Sequence, residues 1–429
     1  MKESVQRLLT KGAPLPTQSA TACLEEPAWL LSSPVLVGLV RCDPAEARPA
    51  VPDLVDWFAK IDDPRHGKWV EHPLAAVLAL CAGAVVAGNS SFTAIAGWVA
   101  DVPADLLAVV YARCGNEYVP PLAPSKSTVW RVVTEIDPGQ VDAAISAWLL
   151  DRAEKAGSGR GNPAEEKIPP LAELALDGKT LRGAKDSDGN QTHLLAAMTH
   201  SGLVAGQVDV GAKTNEIPRL RELLDPLDIT GAVISADALH TQRDTAEYLH
   251  QRGADFCFCV KENQPTLFAK LNALPWKDTP IGHTQTDRGH GRIERRTIRV
   301  LPAPDDLPFP HLNQVTLIER YVSDLDGTPR SAVAVLGISS LPGTHADPAR
   351  LARLTRGHWG IESLHWIRDV VYREDASQTR TKSGPRVMAG LRNLAIGALR
   401  IAGHTAIADT TRWASRSMHR PFHILNITR

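Results

Sequence analysis

The stretch LALDGKTLRG, Leu174–Gly183, opens as an apolar strand and runs straight into an acid, Asp177, followed by glycine, lysine and arginine. A second apolar run, GAVISAD (231–237), is unbroken and reads as the central strand of a sheet; it too stops at an acid, Asp237. Runs of this kind suit strands covered on both faces. Neighbouring strand ends bring side chains close together, so the two carboxylates are expected to face one cleft. A hard cation such as Mg2+ takes one or two carboxylates and fills its remaining positions with water or substrate phosphate. The same pattern also fits two turn-initiating aspartates.

Around these runs, LAELALD (171–177), THLLAAMTH (192–200) and LVAGQVDVGAK (203–213) read as three strands joined by short turns, an antiparallel meander. NEIPRLRELLDPL (215–227) carries Ile217, Leu220, Leu223 and Leu224 on one helical face. TQRDTAEYLHQRG (241–253) is a helix ending at Gly253, and DFCFCVK (255–261) is another strand. The order strand-strand-strand-helix-strand-helix-strand predicts an α/β fold, a mixed sheet with helices on its faces. From about 268 to 345 the runs RIERRTIRVL, NQVTLIERYVS and SAVAVLGISS, separated by Pro, Gly and Asp turns, predict an antiparallel β insertion.

A long helix is predicted over 346–372, with Leu351, Leu354, Ile361, Leu364 and Ile367 as its apolar stripe. Beside that stripe His358, Glu362, His365 and Asp369 follow one another at spacings of four, three and four, so they share a face. Glu362 is the candidate third ligand. The order H-x-x-x-E-x-x-H is not that of the H-E-x-x-H zinc enzymes, so zinc is not expected. Glu374 and Asp375 in YREDAS are a second acidic possibility.

Residues 1–48, with many Pro, Ala and Ser, read as a loosely ordered segment, and 49–156 as a separate N-terminal helical domain. Within it PSKSTVWRVVTEID predicts a short helix capped by Ser127 or Thr128. That helix carries Lys126 and Arg131 and fits the second helix of a helix-turn-helix presented to DNA. GSGRGNPAEEKIPP (157–170) has linker composition. It separates the helical domain from a second domain over 171–399, and 400–429 is expected to form a basic tail.

The chain has 429 residues, 43% hydrophobic and 22% charged, with a formal net charge of −1. These values predict an ordinary globular protein of two or three domains. Net charge is silent about a polyanion partner, but Lys and Arg outnumber Asp and Glu from Leu351 onward. The six cysteines are scattered, without a C-x-x-C, so neither a zinc site nor a disulfide framework is indicated; Cys257 and Cys259 read as reduced core residues. The N-terminus lacks signal-peptide order. The run Pro73–Gly88 falls short of the ~20 residues that span a bilayer. The expected setting is the cytoplasm, with no membrane contact.

Several stretches, taken in order, resemble bacterial insertion-sequence transposases of the DDE type, in the branch that includes the H-repeat-associated proteins. They include DPRHGKW, PSKSTVWRV, LALDGKTLRGAKD, HLLAAMTHSGLVAGQ, KTNEIPRLRELLD, ISADALHTQ, FCFCVKENQPTLF, DRGHGRIERRTIRV, RGHWGIESLHWIRDVVYREDAS and LRNLAIGALR. The resemblance runs from about Leu54 to Leu399. It implies an RNase H-like core with an all-β insertion before the last helix, and three catalytic, metal-binding acids that match Asp177, Asp237 and Glu362. It also implies two Mg2+ ions (Mn2+ as a substitute), cleavage at element ends and transfer of the freed 3′-OH into target DNA. Double-stranded DNA is the implied partner, bound by a homodimer on the bacterial nucleoid. Lys126, Arg131, Lys179, Arg182, Arg292, Arg295 and His358 are the expected DNA contacts. Many relatives carry Tyr, Arg and Lys around the glutamate; here Thr355, His358 and Asp369 stand in those places. A catalytically inactive DNA-binding relative and a metal-dependent nuclease without strand transfer are the alternatives.

Overall fold

The computed structural model describes residues 52–428 except 66–69, 116–119, 121, 161–170, 186–187, 212–214 and 290, with only the backbone of 157–160. The segment 1–48 and most of the expected linker therefore lie outside the described residues. The first residues of that linker continue a helix that runs to Arg160.

Six helices come first: α1 (Leu54–Phe58), α2 (Leu74–Val86), α3 (Phe92–Ala100), α4 (Ala104–Arg113), α5 (Lys126–Glu135) and α6 (Pro138–Arg160). Local chemistry starts several of them. Asp53 caps α1 in a reciprocal box with Asp56, and Ser91 caps α3. On α5 the cap is Ser125, earlier than the expected Ser127 or Thr128, so Lys126 opens the helix. Every residue of α2 is buried, as its all-round apolar sequence requires. Among the described residues no single helix is long and apolar enough to cross a membrane.

The sheet follows: β1 (Glu173–Lys185), β2 (Gln191–Thr199) and β3 (Val204–Asp209), then α7 (Arg219–Leu224), β4 (Val233–Ala236), α8 (Arg243–Gln251), β5 (Asp255–Val260) and α9 (Pro265–Asn272). β1 pairs antiparallel with β2 and parallel with β4, and β4 pairs parallel with β5. The order β3-β2-β1-β4-β5 is the RNase H-like half of the fold. The insertion supplies β6 (His283–Gly289), β7 (Arg292–Pro302), β8 (Gln314–Asp324) and β9 (Pro329–Ser339). It extends the same sheet: β9 pairs antiparallel with β5, and the full order is β3-β2-β1-β4-β5-β9-β8-β7-β6. α10 (Pro348–Val370) then returns across β1, β4 and β5, and α11 (Gly384–Ile401), α12 (Ile407–Ser415) and α13 (His419–Ile424) follow.

Period-two alternation divides β1 between two cores. Leu174 and Leu176 join the core under α7, α8 and α9. Ala175 faces the opposite way, into the core built by α1–α6, the Ile361, Leu364 and Ile367 stripe of α10, and the C-terminal helices. The helical region thus shares one core with the end of the chain. The expected basic tail is instead folded: Phe422 and Leu425 are fully buried and continuous with α2. Close approach makes this possible. A Cβ on Gly397 of α11 would lie 2.6 Å from Leu149 Cδ2 of α6, and one on Gly83 of α2 would lie 3.1 Å from the Phe422 ring. Local periodicity could not show this, because the pairing joins opposite ends of the sequence.

Candidate active site

The last paired residues of β1 and β4 are Leu176 and Ala236. Asp177 and Asp237 are therefore the next positions on adjoining parallel strands. β1 does not end at Asp177, as its sequence suggested; it runs on to Lys185, paired only with β2 once β4 has stopped. From Asp177 onward that flank of β1 has no strand beside it among the described residues. Asp237 caps the short 3-10 turn Ala238–His240, its Oδ1 accepting from Leu239 N at 2.9 Å. Asp177 accepts from Gly178 N at 2.9 Å.

Asp177 lies on the same face of β1 as Ala175, the face covered by α10. His365 Nδ1 of that helix is 3.5 Å from Asp177 Oδ2. Burial, helped by Arg368 and Lys179, pushes His365 down to about 3, so its neutral ring brings Asp177 no compensating charge. Burial, with repulsion from Asp237, Glu216 and Glu362, pushes the Asp177 carboxyl up to about 7, against the Gly178 hydrogen bond. Glu362 stands one turn before His365 and is exposed. Among the described residues no hydrogen bond or ion pair reaches it.

Glu216, which the sequence reading passed over, completes the surroundings. Its Oε1 accepts from His193 Nε2 at 2.8 Å and its Oε2 from His240 Nε2 at 2.9 Å. Burial alone raises its carboxyl, but the two imidazole bonds outweigh that and bring it to about 2. Among the described residues no three His, Cys, Asp or Glu side chains already share a metal-ligand geometry. The donor set nonetheless fits a hard divalent cation: carboxylate oxygens, crowded for want of positive charge, beside a glutamate with no partner.

One prediction follows from that crowding. The folded carboxyl of Asp177 is raised from 3.8, so the folded chain keeps a proton that the unfolded chain releases between about pH 4 and 7. Stability contributed by this group falls as pH rises through that window, and the full penalty stands above it. Asp177→Asn should raise the metal-free protein's stability at pH 8 by about 1–3 kcal/mol and leave it unchanged near pH 3. Thermal melts at the two pH values check it.

Residues 169–397 match the family described as Transposase DDE domain. The chain belongs to that family. Residues 55–149 match the description DDE_Tnp_1-associated, which covers α1 to most of α6. Relatives from Escherichia coli K12 include "Putative protein YbfL", 30% identical over 370 residues, 81% of this chain and 90% of that one. Another is "H repeat-associated putative transposase YhhI", 29% identical with the same coverage. "H repeat-associated putative transposase YbfD" is 31% identical over 59% of this chain and 96% of its own. Among solved structures, a piggyBac transposase synaptic complex with hairpin DNA is similar at TM-score 0.37 and 12% identity, covering 87% of this chain and 78% of that one.

The residues flanking Glu362 depart from the expectations for a DDE transposase. Lys179, expected at DNA phosphate, is only 8% exposed, and its Nζ donates to both carboxylate oxygens of Asp369 at 2.8 and 2.7 Å. This pair gives Asp369 a structural partner where many relatives have a lysine. His358, also expected on DNA, is 7% exposed, and burial pushes it down to about 4. Arg182, Lys126, Arg131, Arg292 and Arg295 are all exposed. Arg182 lies 3.4 Å from Asp375 and Arg292 3.8 Å from Glu294, while Arg295 lies over the Tyr321 ring. Glu374, the alternative third acid, is buried just beyond the C-terminus of α10, between Arg368 (2.8 Å) and Arg392 (2.9 Å). It is held there as a structural anion.

Proposed function

We propose that this transposase cuts DNA at the ends of its element and joins the freed 3′-OH to target DNA, with Asp177, Asp237 and Glu362 as the catalytic acids. The observation that carries the reading is the placement of two acids at the same step of adjoining parallel strands, beneath the helix that presents Glu362. Those three carboxylates would hold the divalent ions, Mg2+ or Mn2+. When bound, such ions activate the attacking oxygen and stabilise the leaving one.

The chain's own residues do the rest. β1 and β4 aim Asp177 and Asp237 rigidly, because both follow paired strand residues. α10 presents Glu362 one turn before His365, whose neutral ring against Asp177 leaves that carboxylate free for a cation. Trp366, 60% exposed at i+4 from Glu362 on α10, offers an indole face on which a base can stack. The exposed cations of α5 and of β7 supply phosphate contacts, which position DNA without reading its sequence.

Incubation of the full chain with labelled element-end duplex, target plasmid and Mg2+ tests the reading. Nicked ends and end–target joints are the expected products. Cleavage without joints would reduce the protein to a nuclease, and neither product would sink the proposal. For binding, Lys126→Ala and Arg131→Ala should each lower the slope of log affinity against log salt by about 0.9. The full-length protein is needed, since α1–α6 share their core with α11–α13. Unchanged salt slopes in gel shifts would remove α5 from the interface.

A further inference from the structure

We infer that Glu216 is a fourth carboxylate ligand of the acid centre, oriented toward it by His193 and His240. The inference rests on the reading of Asp177 and Asp237 as metal ligands. It concerns a residue from a different part of the chain, between β3 and α7, approaching β1 from the opposite face.

The approach is visible at Gly178. A Cβ built there would lie 2.1 Å from Glu216 Oε1 and 2.5 Å from its Cδ, so the carboxylate rests on the bare backbone of the residue next to Asp177. A larger residue at 178 would displace it. β4 stops at Ala236, so past that point no strand separates the two faces of β1 on that flank. Groups from the α7 side and the α10 side can meet there.

The two histidines hold this carboxylate in place. Thr180 Oγ1 donates to His193 Nδ1 at 2.7 Å, which leaves Nε2–H of that ring to donate to Glu216. The second ring, His240, is fully buried, and its Nδ1 has no partner among the described residues, so Glu216 is its one hydrogen-bond anchor. Each carboxylate oxygen accepts one imidazole bond and keeps a second lone pair. Metal-bound carboxylates are ordinarily hydrogen-bonded in this way by outer groups that fix their rotamer. An ion pair built only for stability has no need to press its anion onto the bare backbone beside Asp177.

Mn2+ titration of the full chain, read by loss of the free-ion electron paramagnetic resonance signal, tests this without relying on turnover. Asp177→Asn, Asp237→Asn and Glu216→Gln should each weaken binding about tenfold or more, or remove one ion, while each variant still melts cooperatively as a folded protein. Wild-type Mn2+ binding in a folded Glu216→Gln, alongside weakened binding in both aspartate variants, would overturn the inference and leave the two-aspartate centre standing. Unchanged binding in all three would overturn the centre itself. Should Glu216→Gln fail to fold, Gly178→Ala decides: it keeps every carboxylate but pushes Glu216 away. Weakened Mn2+ binding by a folded Gly178→Ala supports the inference, and unchanged binding overturns it.

Discussion

Asp177→Asn, Asp237→Asn and Glu362→Gln are each expected to lower Mg2+-dependent cleavage of element-end DNA by ~10²-fold to ~10³-fold or more, the scale of losing one preorganised electrostatic group. An amide keeps the size and shape of the acid but cannot supply its negative charge to a cation. Asp177 is fixed by pairing with β2, Asp237 directly follows the paired end of β4, and Glu362 is exposed, so none of the three changes removes buried packing. Folding and end binding should therefore survive. Cleavage of labelled ends, run beside gel shifts on the same preparations, separates the two properties. Normal cleavage by Glu362→Gln would show that the third acid lies elsewhere.

Glu374→Gln is expected to act in the opposite way, costing roughly 3–5 kcal/mol of stability, as for breaking a buried ion pair from one side. Arg368 and Arg392 are both buried, and each donates to Glu374; the amide would leave two buried guanidiniums without an anion. Burial alone raises the Glu374 carboxyl, but the two arginines outweigh it and bring it to about 2. Its folded value thus lies below the ordinary 4.5, so its stabilisation is complete above about pH 4.5 and is lost as pH falls toward 2. Wild type and variant should converge in that acid range and differ most near neutrality. Denaturant melts at pH 3 and pH 7 measure the gap, and an equal gap at both would refute the triad's electrostatic role.

These contrasting acids show what the sequence could reveal. β1 to β5 were legible because each covered strand is a compact apolar run bounded by turn residues, and Asp177 and Asp237 stand where such runs stop. α10 was legible from its stripe, and Glu362 from its position beside it. Glu374 was ambiguous, since two buried arginines are indistinguishable in sequence from solvated ones. Glu216, His193 and His240 were not found, because each is a single polar residue in a different segment and only the sheet brings them together. β1 was read too short, since the polar half after Asp177 pairs with β2 alone and so lacks the apolar signature. The docking of α12 and α13 was missed because those helices find their partners at the other end of the chain.

That last feature gives the polypeptide a built-in completeness check. As the ribosome emits the chain, α1–α6 emerge first with Phe58, Val86 and Trp148 needing cover. Part of that cover is made last, in α11 and in the final turns around Phe422 and Leu425. Glu362 also emerges only after the whole β insertion has been translated. A prematurely stopped or frameshifted product thus carries an open apolar bundle, the kind of exposed surface on which incomplete chains aggregate.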